Sequence, residues 1–120
     1  GKMRIDENAV GPGNRTLSNK INGTEIQTFS LKDIIPENEK DMILKIDCEG
    51  CEYQIILETE DEILLKFQTI MLEYHFGYQN LKLKLESIGF DVKIIGPEHV
   101  FREKPYYGYL IANKRQKLNL

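Results

Sequence analysis

Four residues of the types that move protons or hold cations stand at the ends of two apolar runs in this chain. Asp47 and Glu49 follow Met42–Ile46 (MILKI), and Glu73 and His75 close Met71–His75 (MLEYH). A short apolar run bounded by polar residues reads as a buried strand. In an open α/β sheet the carboxyl ends of parallel strands open onto the ligand crevice. Two such strands would gather Asp47, Glu49, Glu73 and His75 at one sheet edge. There each can take a proton as a general base or help to hold a divalent ion. These four are the candidate catalytic residues.

Plainer roles compete with the chemical ones. Asp47 and Glu49 can instead cap the helix expected to begin near Cys51, where carboxylates meet the positive end of the helix dipole. Glu52, in the first helical turn, reads as dipole and cap chemistry of that kind. Gly50 permits a tight strand-to-helix turn. Glu73 and His75 compete with the ordinary polar residues that strand ends carry, and His99 reads as a solvated loop residue. Cys48 and Cys51 form a C-x-x-C between a strand and a helix, where a thioredoxin-like redox pair would sit. The neighbouring carboxylates Asp47, Glu49 and Glu52 oppose thiolate formation. No second ligand pair completes a zinc site. The two cysteines are therefore read as packing thiols, with a disulfide expected only if the source lives hot. No metal ligands are assigned.

The elements that would position these residues follow from periodicity and caps. Glu25–Ser30 alternates and reads as a strand. Ser30 with Asp33 resembles a capping box opening a short helix that Pro36 ends. After the Met42–Ile46 strand, a helix carries Tyr53, Ile56 and Leu57 on one face. Thr59 and Glu62 form a second capping-box pattern ahead of Ile63, Leu64 and Phe67. Thr69–Tyr74 is the next strand. Asn80 is placed to cap a helix with the face Leu81, Leu85 and Ile88. Gly89 ends that helix, with Phe90 folding back on Leu85. Val92–Ile95 and Tyr106–Ala112 are strands, with no helical pattern between them, and should pair antiparallel. The expected fold class is α/β: a mixed, mostly parallel sheet with a C-terminal antiparallel strand pair. The expected division is a turn-rich segment over 1–24, containing Gly11-Pro12-Gly13, an α/β domain over 25–113, and a solvated basic tail over 114–120.

With 120 residues the chain suits a single domain. A net charge of −3 gives no electrostatic case for a nucleic-acid partner. No apolar run approaches the roughly 18 residues that cross a bilayer, and no signal peptide opens the chain. Asn14-Arg15-Thr16 and Asn22-Gly23-Thr24 match the glycosylation pattern but read as polar turns. A cytoplasmic location is expected.

KIDCEGCEYQIIL, Lys45–Leu57, resembles the K-I-D-x-E-G-x-E signature of FkbM-type S-adenosylmethionine-dependent methyltransferases. TFSLKDII at Thr28–Ile35, MLEYH, and LKLKLESIGFDV at Leu81–Val92 are similar to the segments that flank that signature, so the likeness runs over about residues 25–112. The resemblance implies a seven-stranded Rossmann-like methyltransferase fold whose last four strands comprise two parallel strands and a pair with one antiparallel member. It implies transfer of a methyl group to a hydroxyl, often of a sugar or natural product, with Asp47 and Gly50 on the cofactor side. The partner would be a small-molecule or glycan hydroxyl acceptor, with no nucleic acid and no membrane.

The chain has no G-x-G-x-x-G, and Gly11-Pro12-Gly13 is a poor substitute, because it follows no strand and proline removes a donor. It is therefore expected to be the carboxyl-terminal half of such a domain, binding S-adenosylmethionine weakly or not at all by itself. Met42–Ile46 would lie at a sheet edge, a pairing hazard. Glu25–Ser30, residues 1–20 or a twofold partner would cover it, so a homodimer through that edge is one expected outcome. Two rival readings are a non-catalytic α/β interaction or assembly module lacking cofactor, and a thiol redox protein using Cys48 and Cys51.

Overall fold

The computed structural model describes residues 1–5, 16–17, 24–102 and 104–117. The Gly11-Pro12-Gly13 turn, Asn14, Asn22 and residues 118–120 of the basic tail lie outside them. The described chain runs β1 (Lys2–Ile5), β2 (Thr16–Leu17), β3 (Thr24–Gln27), α1 (Leu31–Ile34), β4 (Met42–Ile46), α2 (Cys51–Glu58), α3 (Asp61–Leu64), β5 (Phe67–Tyr74), α4 (Gln79–Ile88), β6 (Phe90–Phe101) and β7 (Lys104–Lys114). These elements divide into two compact units, Gly1–Ile34 and Ile35–Leu120.

The first unit is a small antiparallel sheet in the order β2-β1-β3. The segment read as turn-rich thus holds two short strands, and the alternating Glu25–Ser30 run pairs with one of them. The capping box after it is present. Ser30 donates its N–H and its hydroxyl to Asp33 Oδ2 at 2.8 and 2.9 Å, and the Asp33 N–H returns to Ser30 Oγ at 3.3 Å. The Ser30 N–H and hydroxyl, stabilising the ionised form, hold the Asp33 carboxyl below its ordinary value.

The second unit is a four-stranded sheet in the order β4-β5-β7-β6. β4 and β5 are parallel, whereas β5/β7 and β7/β6 are antiparallel. The expectation of a mostly parallel sheet is corrected here: one strand pair is parallel and two are antiparallel. The expected C-terminal antiparallel pair is present as β6/β7. The reason for the difference is where β7 goes. It returns from β6 into the space beside β5, so β5 gains an antiparallel neighbour and β6 is pushed to the outer edge. Only the crossover through α2 and α3 delivers a parallel pair.

Alternation along the strands divides the sheet into a covered and a free face. Ile70, Leu72 and Tyr74 of β5 and Leu110 and Ala112 of β7 are buried, together with Ile56, Leu64, Leu81 and Leu85 from the helices. α2 packs on α4 and on β5, and α4 packs on β6. Tyr74 needs a particular neighbour. It pairs in register with Gly108, where a Cβ would lie 2.8 Å from Tyr74 Cζ, so only glycine leaves room for the ring. The Tyr74 hydroxyl donates to Glu98 Oε1 at 3.0 Å. Burial, reinforced by that carboxylate, pushes the phenol above its ordinary value.

Several local expectations shift. Leu57, placed on the buried face of α2, is exposed. Thr59 closes α2, and α3 begins after Glu60. α4 starts at Gln79 with Tyr78 in the N-cap position, so Asn80 lies inside the helix. Tyr78 makes an edge-to-face contact with Tyr74 at 5.5 Å, which holds the chain where the turn occurs. His99 is not a loop residue: it lies in β6, opposite Tyr107, and stacks on that ring at 4.5 Å. Lys114 is the last residue of β7 and donates to the Leu65 carbonyl at 2.9 Å. Arg115 donates to the carbonyls of Glu86 and Phe90.

β4 is an edge strand of its sheet, and Ile43 on it is 69% exposed. β3 pairs with β1 in the other sheet rather than extending this one. Among the described residues, no helix is long and apolar enough to cross a membrane.

Candidate functional site

The site is built where β4 and β5 end side by side. Ile46 pairs with Leu72 in the parallel ladder, and both are buried on the helix-covered face. Strand alternation therefore turns the next residue of each, Asp47 and Glu73, toward the free face. His75 is the first residue beyond β5. One ligand atom from each of Asp47, Glu73 and His75 lies within 4.8 Å of the other two. The sequence placed these three at one edge, and the fold brings their functional atoms together.

Electrostatics at this point are strained in a defined sense. Burial raises Glu73 above the usual carboxylate range, and the charge of Asp47 raises it further. Glu52 adds to the rise, while His75 opposes it. Two carboxylates this close favour a proton, or another positive charge, between them.

His75 is held from behind. Glu52 is fully buried, and its Oε1 lies 2.8 Å from His75 Nδ1. The same oxygen accepts the His75 backbone N–H at 3.0 Å, and Oε2 accepts the Gly50 N–H at 2.8 Å. One carboxylate thus joins the turn after β4 to the turn after β5. In the neutral ring it also accepts a hydrogen bond from Nδ1–H, which leaves Nε2 as the ring nitrogen with the lone pair. Tyr53 grips the same segment: its hydroxyl accepts the Phe76 N–H at 2.7 Å and donates to the Gly77 carbonyl.

The turn between β4 and α2 is unusual in backbone and in covalent structure. Glu49 has φ 52° and Gly50 has φ 122°. A side chain at Gly50 would be strained at that φ, and its Cβ would meet the Phe76 ring at 3.4 Å. Gly50 fills the N-cap position, so the capping oxygen that an Asn or Ser would bring there is absent. Glu52, two residues on, binds the Gly50 N–H instead. Glu49 is exposed and stands outside the group formed by Asp47, Glu73 and His75. Cys48 and Cys51 are not packing thiols: they form a disulfide across this turn, with Cα atoms 5.4 Å apart. Cys48 Sγ lies 3.6 Å from Glu52 Oε2.

Beside the two carboxylates the free face of the sheet forms an open trough of about 370 Å³. Met71, Ile95, Tyr109 and Ile111 make its apolar floor, and Asp47 and Glu73 line one part of it. Met71, Ile95 and Tyr109 are exposed.

Glu52 is the site residue whose role sequence reasoning missed. Its bond to Gly50 agrees with the cap reading, but its hold on His75 was not foreseen. One signal was present: Glu52 lies four residues before Ile56, on the same helical stripe. A carboxylate on a buried stripe implies partners inside.

A family model described as the methyltransferase FkbM domain matches residues 3–104. No curated protein and no solved structure matches the chain. The match covers the K-I-D-x-E-G-x-E turn, both parallel strands and all the residues of the cluster. The chain belongs to the methyltransferase FkbM domain family.

Proposed function

We propose that this chain carries the acceptor side of an O-methyl transfer, from S-adenosylmethionine to a hydroxyl of a sugar or natural product. One observation carries the reading: Asp47, Glu73 and His75 converge, with the His75 Nδ1 committed to buried Glu52. A hydroxyl becomes a good nucleophile when its proton has somewhere to go. Nε2 of His75 is the lone pair aimed away from Glu52, and it takes that proton as the new O–C bond forms. Glu52 then faces an imidazolium, whose charge it stabilises. Glu73 holds the acceptor by a hydroxyl group. The apolar trough beside them suits the carbon skeleton of a natural product.

The residues present fit a cationic cofactor, because the exposed Asp47 carboxylate and its neighbour Glu73 favour positive charge. Asp47 and Gly50, at the turn after β4, are assigned to the cofactor side. S-adenosylmethionine, when bound, supplies the electrophilic methyl group and takes back the electron pair of the broken sulfur–carbon bond.

The test is transfer of labelled methyl from S-adenosylmethionine to a panel of sugar and polyketide hydroxyls. It uses the chain together with any residues its gene encodes before it. His75→Ala should lower turnover by ~10²–10⁴, and should also lower the melting transition, because buried Glu52 loses its ring donor. Parent-level turnover in His75→Ala would overturn the reading.

A further inference from the structure

We propose that Asp47, Glu73 and His75 form a divalent-cation site, with Glu52 as the buried positioning residue that aims its imidazole ligand. The inference deepens the methyl-transfer reading and rests on it for what the cation would do, though not for whether the cation binds. No sequence spacing announces this site. Its three ligands come from two strand ends 26 residues apart, and only the parallel pairing of β4 and β5 unites them.

The spacing suits a single ion. Metal–ligand bonds of about 2.1 Å put donors up to about 4.2 Å apart across an ion. The three donor atoms already lie within 4.8 Å of one another, so small side-chain rotations would close the site.

The donor set is more than a pair of acids. It includes the His75 imidazole, whose Nδ1 is bound at 2.8 Å by a fully buried carboxylate. Metal-bound histidines have that same arrangement: the back nitrogen donates to a carboxylate, which fixes the tautomer and raises ligand basicity. Burying Glu52 is costly, and an apolar residue on the Ile56 stripe would pack at less cost. The buried carboxylate is accounted for if it must hold an imidazole in place.

Chemistry narrows the ion. One imidazole and two carboxylates suit Mn²⁺, Fe²⁺ or Zn²⁺, whereas Mg²⁺ and Ca²⁺ favour all-oxygen sets. Cys48 and Cys51 are bonded to each other and offer no thiolate. Three protein ligands leave coordination positions open toward the trough, where an acceptor hydroxyl could bind and pass its proton to solvent water in the open trough. In that arrangement His75 acts as a ligand, and the cation replaces it as the agent that activates the hydroxyl.

The test is titration of the 120-residue chain with MnCl₂, followed by calorimetry and by the paramagnetic resonance of free Mn²⁺. One saturable Mn²⁺ per chain is expected. His75→Ala and Asp47→Asn should each weaken it at least tenfold, and Glu52→Gln should weaken it by about 10–100-fold with the fold intact. Glu39→Gln, in an exposed turn, should leave it unchanged. Asp47 is an exposed side chain, so Asp47→Asn keeps the test valid if another variant folds poorly. No saturable binding, or equal affinity in the parent and Asp47→Asn, would overturn the site. Methyl transfer that survives chelation yet fails in His75→Ala would overturn the cation's role in activating the hydroxyl, and would leave His75 as the base. A cation bound as described in a protein that, with any upstream residues its gene encodes, transfers no methyl would retain the site and overturn the methyl-transfer reading instead.

Discussion

At the scale of single residues, the site depends on how Glu52 is satisfied. A fully buried carboxylate is stable only when donors replace the water it has lost. Gly50 N–H, His75 N–H and the His75 ring provide them. The ring proton must then sit on Nδ1, because a carboxylate oxygen can only accept. We expect long-range nitrogen–proton NMR to show the neutral His75 ring protonated at Nδ1, and that preference to weaken in Glu52→Gln. A ring protonated at Nε2 in the parent protein would show that Glu52 does not set the tautomer. Glu49 and Glu73 illustrate what sequence can and cannot separate. Both are carboxylates at strand ends, and periodicity gave them equal standing. Backbone geometry distinguishes them: Glu49 sits at φ 52° in the turn, whereas Glu73 still follows the alternation of β5.

Secondary-structure elements were legible wherever local chemistry decided them. The Met42–Ile46 run is β4 residue for residue, and the helix expected near Cys51 starts there. The Ser30–Asp33 box caps α1 because both partners lie within four residues. Asp33 has a lowered carboxyl, so its contribution is present above the unfolded value, near the ordinary 3.8, and is lost as pH falls through the lower folded value. Carboxyl NMR should place the Asp33 midpoint below 3.8, and Ser30→Ala should raise it toward that value. A midpoint that does not respond to Ser30→Ala would refute the cap. Elements decided by distant partners were harder to read. The hairpin of β6 and β7 runs longer than either apolar stretch, because ladder hydrogen bonds carry it past Gly96 and Pro97. Gly108 matters only because Tyr74 lies opposite. Gly108→Ala should destabilise the protein by about 1–3 kcal/mol through overpacking against that ring, measured by urea unfolding. Unchanged stability would mean that the ring moves aside at little cost.

Across the whole molecule, sequence gave the α/β class and the antiparallel end, but not the order of strands. Alternation and apolar runs report whether a residue is covered, and they carry no information about which strand lies beside which. The insertion of β7 between β5 and β6 was therefore invisible, and so was the mostly antiparallel pairing it creates. The Cys48–Cys51 bond was missed for a related reason: local charge argued against a reactive thiolate, but a bonded pair carries no such charge. The candidate cluster was half legible. Strand ends and residue types pointed to Asp47, Glu73 and His75, and the register of β4 on β5 together with the positive φ of Glu49 separates them from Glu49. Turnover of Glu73→Ala measured beside Glu49→Ala, in the protein with any upstream residues its gene encodes, tests that separation most directly. Glu73→Ala should lose roughly 10²-fold in methyl transfer through loss of acceptor positioning, and Glu49→Ala should stay near the parent rate. A large loss in Glu49→Ala with Glu73→Ala near the parent rate would contradict the account.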